Sequence, residues 1–351
     1  MTQQFTQTYN RVTFHGGDLT WAKRYFGSDG LPWIDLSTGI NPHAYPLPQI
    51  PTEIWTRLPG ASIETDLLQT AKHYYKNSDK ADIVACPGTQ SALQLLPHLR
   101  DPAEVAILSP TYAEHAKCWK AAGHTVLAVD DLQDVPSSVQ IIVVVTPNNP
   151  TGKIIEIEVL KDLQQRLEKR GGLLVLDEAF MDLTPTHSYA PHLPAKGVLI
   201  LKSFGKFFGL AGLRLGFVLG DADMVSKIKE QLGPWAVSGP AAFLGITALA
   251  DTNWTENMKE KLHQQTRKLE KILIDTNLPI VGSTNLFTLV QTDQATTLFN
   301  TLGESRILTR PFPDFPDYLR FGLPGESEQW DRLQNTLSKF ENQSLGIEKV
   351  V

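Results

Sequence analysis

Short runs of apolar residues alternate with amphipathic stretches between about residue 80 and residue 220. The candidate strands are DIVAC at 82–86, EVAIL at 104–108, HTVLAV at 124–129, QIIVVV at 140–145, GLLVLD at 172–177 and GVLILKSF at 197–204. Most of these runs are apolar at every position, which is typical of parallel strands whose two faces are covered by helices. The pattern predicts a large α/β domain with a mostly parallel central sheet.

The pattern changes after about residue 235. Two helical stretches, at 241–250 and 254–274, precede isolated strands at 285–290 and 318–323, and a last helix is predicted around 326–342. This order predicts a smaller α+β domain. The first forty residues fit neither pattern, because a short helix, LTWAKRYFG, is followed by the turn-rich stretch DLSTGINPHAYPLPQIP. We therefore predict an N-terminal segment over 1–45, a large domain over 46–235 and a small C-terminal domain over 236–351.

The amino-acid composition limits the kinds of molecule that the protein is expected to bind. The formal net charge of the 351 residues is -6, and no block of like charges could form a basic stripe for nucleic acid or an anchor for anionic lipid. The N-terminus MTQQFTQTYN lacks the features of a signal peptide, and the apolar run IIVVV is too short to span a bilayer, so a cytoplasmic location is expected. Cys86 and Cys118 by themselves make neither a disulfide framework nor a structural zinc site, and no metal is predicted.

Polar residues follow the ends of the predicted strands, where ligands collect in open α/β sheets. Gly88, Thr89 and Gln90 open a helix whose backbone N–H groups could bind a phosphate, although taken alone a simple helix cap is the favoured explanation. Tyr112 in SPTYAEH could stack on a planar ring or belong to the core. The turn TPNNPTGK presents the amide of Asn149 to the same edge.

Two further strand ends carry charge. Asp177 and Glu178 end GLLVLDEAF, where a carboxylate could cap a helix or hold a protonated ring nitrogen. The segment SFGKFFGLAGLRLGF contains Ser203, Lys206 and Arg214. Its apolar neighbours disfavour a fixed positive charge at Lys206, so a counter-charge, a lowered pKa or covalent chemistry at the nitrogen is expected.

The set GTQ, PTY, PNNPTG, DEAF and SFGKFFGLAGLRLGF resembles the pyridoxal-phosphate enzymes of the aspartate-aminotransferase fold (fold type I), over nearly the whole chain. The resemblance implies that Lys206 binds the cofactor aldehyde covalently and that Asp177 pairs with the pyridinium nitrogen. It also implies that Asn149 donates to the ring oxygen and Tyr112 stacks on the ring. The residues implied for the cofactor phosphate are Gly88, Thr89, Gln90, Ser203 and Arg214.

The sequence departs from that pattern at two positions. Many relatives have a hydroxyl residue before the lysine, where this chain has Gly205, and a tyrosine where it has Phe180. The first change removes a hydrogen bond to the phosphate. The second removes a donor to the ring oxygen, which should leave the pKa of the lysine–cofactor linkage less depressed. Both changes indicate a narrower subfamily.

The N-terminal stretches HGGDLTWAKRYFG and WIDLSTGINPHAYP look like the opening of the threonine-phosphate decarboxylases of cobalamin biosynthesis. That resemblance implies conversion of L-threonine O-3-phosphate to (R)-1-amino-2-propanol O-2-phosphate and carbon dioxide. The residues it implies for the substrate are His15, Gly39, Asn149, Arg310 and Arg320. Arg320 matches the arginine for the substrate carboxylate, and the phosphate contacts stay open among His15, Arg310 and Arg320.

Taken alone, His15 would be read as a surface or cap residue, and Arg310 equally as a surface charge. Two other functions stay open. One is a pyridoxal-phosphate aminotransferase of the histidinol-phosphate type, and the other is a non-catalytic relative that binds the cofactor for regulation. The resemblance also implies a homodimer in which each subunit completes the other's active site, without deciding which subunit supplies the segment from Asp35 to Pro51.

Overall fold

The computed structural model of the chain describes residues 15–28, 30–78 and 80–344. Parts of the predicted N-terminal and C-terminal domains, at 1–14 and 345–351, lie outside the described residues. By internal contacts the chain divides into two units. The central unit is Ala44–Met258, and the terminal unit joins Met1–His43 to Lys259–Val351. The domain bounds read from the sequence stay a prediction.

The described residues form α-helices and strands along both units. In chain order they are α1 (Leu19–Phe26), β1 (Ile34–Asp35), α2 (Thr52–Thr56), α3 (Ala61–Tyr74), β2 (Asp82–Cys86), α4 (Thr89–Leu95), β3 (Glu104–Leu108), α5 (Ala113–Ala121), β4 (Thr125–Val129), β5 (Ile141–Val145), α6 (Ile157–Glu168), β6 (Leu173–Asp177), β7 (Val198–Ser203), α7 (Phe204–Phe207), β8 (Gly216–Gly220), α8 (Ala222–Leu232), α9 (Gly239–Ala250), α10 (Thr252–Asp275), β9 (Ile280–Thr284), β10 (Phe287–Gln291), α11 (Ala295–Glu304), β11 (Ile307–Leu308), β12 (Arg310–Phe312), β13 (Phe315–Gly322) and α12 (Ser327–Ser344).

The central unit is built on a seven-stranded sheet in the order β2-β8-β7-β6-β5-β3-β4, as far as the described residues show. Strands β3 to β7 are paired in parallel, whereas β8 runs antiparallel to both β2 and β7. The mostly parallel sheet predicted from the apolar runs is confirmed. Because β3, β5, β6 and β7 are parallel, their carboxyl ends lie at one edge, where the predicted site residues follow.

The apolar runs become strands because helices cover both faces of the sheet. Every residue of β5, β6 and β7 is buried, including the five consecutive apolar residues of β5. Trp119 of α5 packs in the same core cluster as residues of β3, β5, β6 and β7. Burial of this kind stabilises a fold by about 25 cal/mol for each Å² of apolar surface removed from water, so the sheet is a rigid base for its edge.

The terminal unit contains a four-stranded antiparallel sheet in the order β12-β13-β10-β9. Strand β1 pairs in parallel with β11, with Ile34 opposite Ile307. The backbone N–H of Gly322, at the end of β13, donates to the carbonyl of Leu36 at 2.7 Å. The turn-rich stretch after β1 is therefore fixed against β13 within this unit.

No helix in the described part of the chain combines the length and the apolar character that crossing a membrane requires.

Candidate active site

Asp177 and Glu178 are adjacent acids whose side chains have different partners. Asp177 ends β6, and its Oδ2 lies 2.9 Å from Nε2 of His115. Glu178 is fully buried and accepts hydrogen bonds from Nζ of Lys202 at 2.5 Å and from Oγ of Ser188 at 2.6 Å. Successive side chains of a strand point to opposite faces, which explains the separation. Glu178 is held in an internal ion pair, so Asp177 is the acid left for a ligand.

His115 is a site residue that the sequence reading missed. It lies on α5, is completely buried and contacts Asp177, which is 62 positions away in the chain. Its ring meets that of Tyr112 edge-on, with 6.2 Å between centroids. The only signal in the sequence is the spacing in YAEH, since residues three apart lie on the same face of a helix.

Tyr112 and Gln90 join the same group. The hydroxyl of Tyr112 donates to Oε1 of Gln90 at 3.3 Å. Gln90 lies on α4 and Tyr112 precedes α5, so the ends of β2 and β3 meet through this contact. A flat aromatic side chain, an amide and the Asp177–His115 pair are thus brought together at one edge of the sheet.

Thr89 and Ser203 form a hydroxyl pair that links two strand ends, with 2.7 Å between Oγ1 and Oγ. A Cβ added to Gly216 would lie 2.8 Å from the backbone nitrogen of Thr89, so that strand approaches closely only because residue 216 is glycine. A Cβ on Gly88, which has a φ of 78°, would lie 2.6 Å from Nη2 of Arg214. The predicted phosphate residues therefore converge.

Lys206 lies on the one-turn helix α7 and is half-buried, while Phe204, Phe207 and Phe208 are almost completely buried. Its Nζ lies 5.7 Å from the ring centroid of Phe180. The second lysine of this region, Lys202, is buried in its ion pair with Glu178. Of the two lysines, Lys206 is therefore the one whose side chain is accessible to a ligand.

The structure explains why residue 205 is glycine. A Cβ at Gly205 would lie 2.6 Å from the Cα of Ala211 and 3.2 Å from the carbonyl oxygen of Leu210. Both atoms belong to the backbone, which cannot move aside as a flexible side chain can. The hydroxyl residue found in many relatives is therefore excluded by the close packing of the segment after α7.

The two asparagines of the turn after β5 also differ. Nδ2 of Asn148 donates to the carbonyl of Pro110 at 2.9 Å and to Oγ1 of Thr151 at 2.8 Å, and its Oδ1 accepts from Thr111 at 2.7 Å. Asn148 is buried and holds the turn in shape, whereas Asn149 is half-buried. The turn thus leaves Asn149 as the asparagine accessible to a ligand.

These residues fit a phosphorylated, planar, aldehyde-bearing cofactor. A phosphate would find three suitable features here: the hydroxyl pair, the Arg214 guanidinium, and the space at Gly88 and Gly216, where no Cβ is present. The buried Asp177–His115 pair suits a protonated ring nitrogen, and Lys206 offers an amine. All nine residues predicted for the cofactor lie in the central unit.

Arg310 and Arg320 of the terminal unit lie directly opposite each other in the β12–β13 ladder. Arg320 is buried, and its guanidinium lies 4.9 Å from the ring centroid of Phe287. Burial and, after it, the charge of Arg310 lower the pKa of Arg320 to about 9, while the carboxylate of Asp35 partly opposes the shift. Like charges opposite each other destabilise a sheet, so this pair favours a bound anion.

The other predicted substrate residues of this unit lie around Ser37. Nη2 of Arg320 donates to the carbonyl of Ser37 at 2.9 Å, and the backbone nitrogen of Gly17 donates to Oγ of Ser37 at 2.7 Å. The turn that begins at His15 and the strand that carries Arg320 therefore meet at one residue. His15 is exposed, and Gly39 is buried two residues beyond Ser37.

Comparison with known proteins identifies relatives over nearly the whole chain. The sequence model of a family described as "Aminotransferase class I and II" matches residues 53–337. The threonine-phosphate decarboxylase of Pseudomonas aeruginosa is 40% identical over 329 residues, which are 93% of this chain and 98% of that protein. The histidinol-phosphate aminotransferase of Serratia proteamaculans is 30% identical over 257 residues, covering 66% of this chain and 67% of that protein.

Among solved structures, the histidinol-phosphate aminotransferase from Clostridium acetobutylicum matches with a TM-score of 0.78 and 22% identity. The match covers 88% of this chain and 99% of that chain. At this level of identity the likeness concerns the fold, and it confirms the predicted architecture.

Proposed function

The chain belongs to the aminotransferase class I and II family, and we propose that it decarboxylates L-threonine O-3-phosphate. The products are (R)-1-amino-2-propanol O-2-phosphate and carbon dioxide, and the reaction serves cobalamin biosynthesis in the cytoplasm. The observation that carries the proposal is the likeness to a threonine-phosphate decarboxylase over almost the full length of both chains. The likeness to a histidinol-phosphate aminotransferase is weaker and covers less of either chain.

The family uses pyridoxal phosphate, which when bound supplies an electron sink for the bond that breaks. Asp177 holds the proton on the ring nitrogen, and His115 fixes the orientation of that carboxylate. Tyr112 lies against the ring and Asn149 donates to the ring oxygen. Thr89, Ser203 and Arg214 bind the phosphate group, together with Gly88 and Gln90. These roles stay proposals, and the convergence of the side chains supports them.

Lys206 is the covalent attachment residue and the group that handles protons beside the substrate. Lys206 is half-buried, and its amine lies near the ring of Phe180. Phe180 has no hydroxyl, so it cannot donate a hydrogen bond to the ring oxygen of the cofactor. Loss of carbon dioxide leaves an electron pair on the substrate carbon, and a proton must be delivered there. An amine on the short helix after β7 is suited to deliver it.

Two anionic groups on the substrate call for separate cations. Arg320 is proposed to bind the carboxylate, while Arg310 and His15 bind the phosphate. The two like charges that face each other across the β12–β13 ladder support an anion at this position, because a carboxylate or phosphate would attract both guanidinium groups. Gly39, which is buried two residues beyond Ser37, is also proposed to contact the substrate.

Carbon dioxide release distinguishes the proposed reaction from transamination. The holoenzyme is incubated with threonine phosphate in the absence of a keto acid, with Lys206→Ala as the inactive control. We expect stoichiometric carbon dioxide and aminopropanol phosphate. Formation of glutamate from histidinol phosphate and 2-oxoglutarate, without carbon dioxide from threonine phosphate, would support the aminotransferase instead. A holoenzyme inactive in both assays would support the non-catalytic relative.

The substrate residues are tested by comparing threonine phosphate with threonine. Losing one charge-assisted hydrogen bond costs about 1.5–3 kcal/mol, a change of roughly tenfold to hundredfold in kcat/KM. We expect Arg310→Ala and His15→Ala to lower kcat/KM for threonine phosphate selectively, whereas Arg320→Ala lowers it for both compounds. Equal losses for all three variants would contradict a dedicated phosphate site.

The protein is further proposed to be a homodimer. Four large apolar side chains of the central unit are more than half exposed: Leu47, Trp55, Leu58 and Trp235. Trp235 lines a surface hollow together with Pro59, which follows Leu58 in the chain. Exposed apolar groups of this size are typical of a surface that binds another protein. A second copy of this chain is the proposed occupant, in keeping with the family resemblance.

A further inference from the structure

Ser37 is a fully buried polar residue to which the proposed function gives no role. Its hydroxyl donates to Oδ1 of Asp35 at 2.6 Å and accepts from the backbone nitrogen of Gly17 at 2.7 Å. Its backbone nitrogen donates to the same carboxylate oxygen at 2.9 Å. Both hydrogen-bonding functions of the hydroxyl are used, so the side chain is fixed in one orientation.

The carbonyl group of Ser37 makes a separate contact, because it accepts from Nη2 of Arg320 at 2.9 Å. A Cβ added to Gly16 would lie only 2.3 Å from this carbonyl oxygen. The backbone of the turn that carries His15 therefore approaches the acceptor of Arg320 so closely that only glycine fits. This close approach explains why residue 16, the first glycine of the HGG stretch, has no side chain.

Asp35 fixes Ser37 from the other side. Strand β1 places Asp35 opposite Leu308 of β11, two residues before Arg310. The backbone nitrogen of Leu36 donates to the carbonyl of Leu308 at 2.7 Å. Ser37 is thus attached to a paired strand, while its hydroxyl is attached to the His15 turn and its carbonyl to Arg320.

We propose that Ser37 is a positioning residue for substrate specificity, whose hydroxyl holds the His15 turn in place for the substrate phosphate. The inference rests on the proposed function, in which His15 contacts the phosphate and Arg320 the carboxylate. The two contacts of Ser37 are separable. Substitution by alanine removes the hydroxyl and its bond to Gly17, but leaves the carbonyl that accepts from Arg320.

The test compares KM for threonine phosphate and for threonine in holoenzymes of the wild type, Ser37→Ala and Gly16→Ala. Loss of the hydroxyl bond should raise KM for threonine phosphate by about tenfold, with KM for threonine and both kcat values changed less than about twofold. Gly16→Ala should raise KM for both compounds, because its methyl group displaces the carbonyl that orients Arg320. Ser283→Ala, a serine of β9 in the same unit, is the matched control and should change neither.

Inorganic phosphate separates failure of this inference from failure of the proposed function. If phosphate neither inhibits nor thermally stabilises the wild-type holoenzyme, and threonine phosphate is not turned over, the proposed function is wrong. If the wild type responds to phosphate and Ser37→Ala responds equally, with unchanged KM values, the role of Ser37 is wrong. Should Ser37→Ala not yield folded holoenzyme, Ser37→Cys decides, because it keeps a side chain of similar size but replaces the hydroxyl by a weakly hydrogen-bonding thiol, and unchanged KM values in that variant overturn the inference.

Discussion

Neighbouring residues of the same chemical type have different partners throughout the central unit. Asp177 contacts His115 while Glu178 is paired with Lys202, and Asn148 is buried in a turn in which Asn149 is only half-buried. The sequence predicted which residue types occur at each strand end, because those ends follow recognisable apolar runs. It could not predict His115, since the partner of that side chain is 62 positions away and only the folded sheet brings the two together.

The two lysines of this region should respond differently to substitution. Lys206→Ala should abolish turnover and the visible absorption of the bound cofactor, with little change in the urea unfolding of the apoprotein. Lys202→Met leaves the carboxylate of Glu178 buried without its cation, so we expect a loss of about 3–5 kcal/mol in the free energy of unfolding. A stable, fully active Lys202→Met protein would contradict the structural role of that pair.

His115 should tune the carboxylate of Asp177, which we propose pairs with the cofactor nitrogen. His115→Phe fills similar volume but removes the hydrogen bond to Asp177, and we expect kcat to fall roughly tenfold to hundredfold while KM changes little. The absorption spectrum of the holoenzyme should shift as the ring nitrogen loses its proton more readily. A variant with wild-type kcat and spectrum would show that His115 only fills space.

At the scale of elements, the sequence reading was most accurate where strands are buried on both faces. The predicted runs at 82–86 and 104–108 coincide with β2 and β3. Strand β8 was missed because it follows the glycine-rich segment directly and lacks a preceding amphipathic stretch. The short strands β11 and β12 carry too few residues for a period of two to be recognised.

The packing after α7 should reject a side chain at residue 205. Gly205→Ser restores the hydroxyl of many relatives but places Cβ against the backbone of Ala211, so we expect a loss of about 1–3 kcal/mol in the free energy of unfolding. Gly212→Ser is the matched control, because a Cβ there has no atom within 4 Å, and its effect should stay within about 0.5 kcal/mol. Urea titration of the two apoproteins measures both changes in the free energy of unfolding. Equal stability of the two would refute the steric explanation.

At the scale of the whole molecule, the proposed dimer can be tested at the exposed apolar side chains. Trp55→Glu places a charge at a tryptophan that is 64% exposed, which a solvated surface would tolerate and an interface would not. We expect sedimentation velocity to show a shift from dimer towards monomer, with activity that depends on protein concentration. Val159→Glu, on α6, should leave the sedimentation unchanged. Identical sedimentation of both variants and the wild type would count against this surface.

The pairing of β1 with β11 has a consequence for the order in which the chain acquires its structure during synthesis. Ile34 leaves the ribosome roughly 270 residues before its partner Ile307, so at about 5–20 residues per second the N-terminal strand waits for some tens of seconds. The contiguous stretch Ala44–Met258 can collapse during that interval, whereas the terminal unit needs residues from both ends of the chain. The segment that contains the turn at His15 and strand β1 is therefore exposed to chaperones and proteases until the residues around Ile307 have been synthesised.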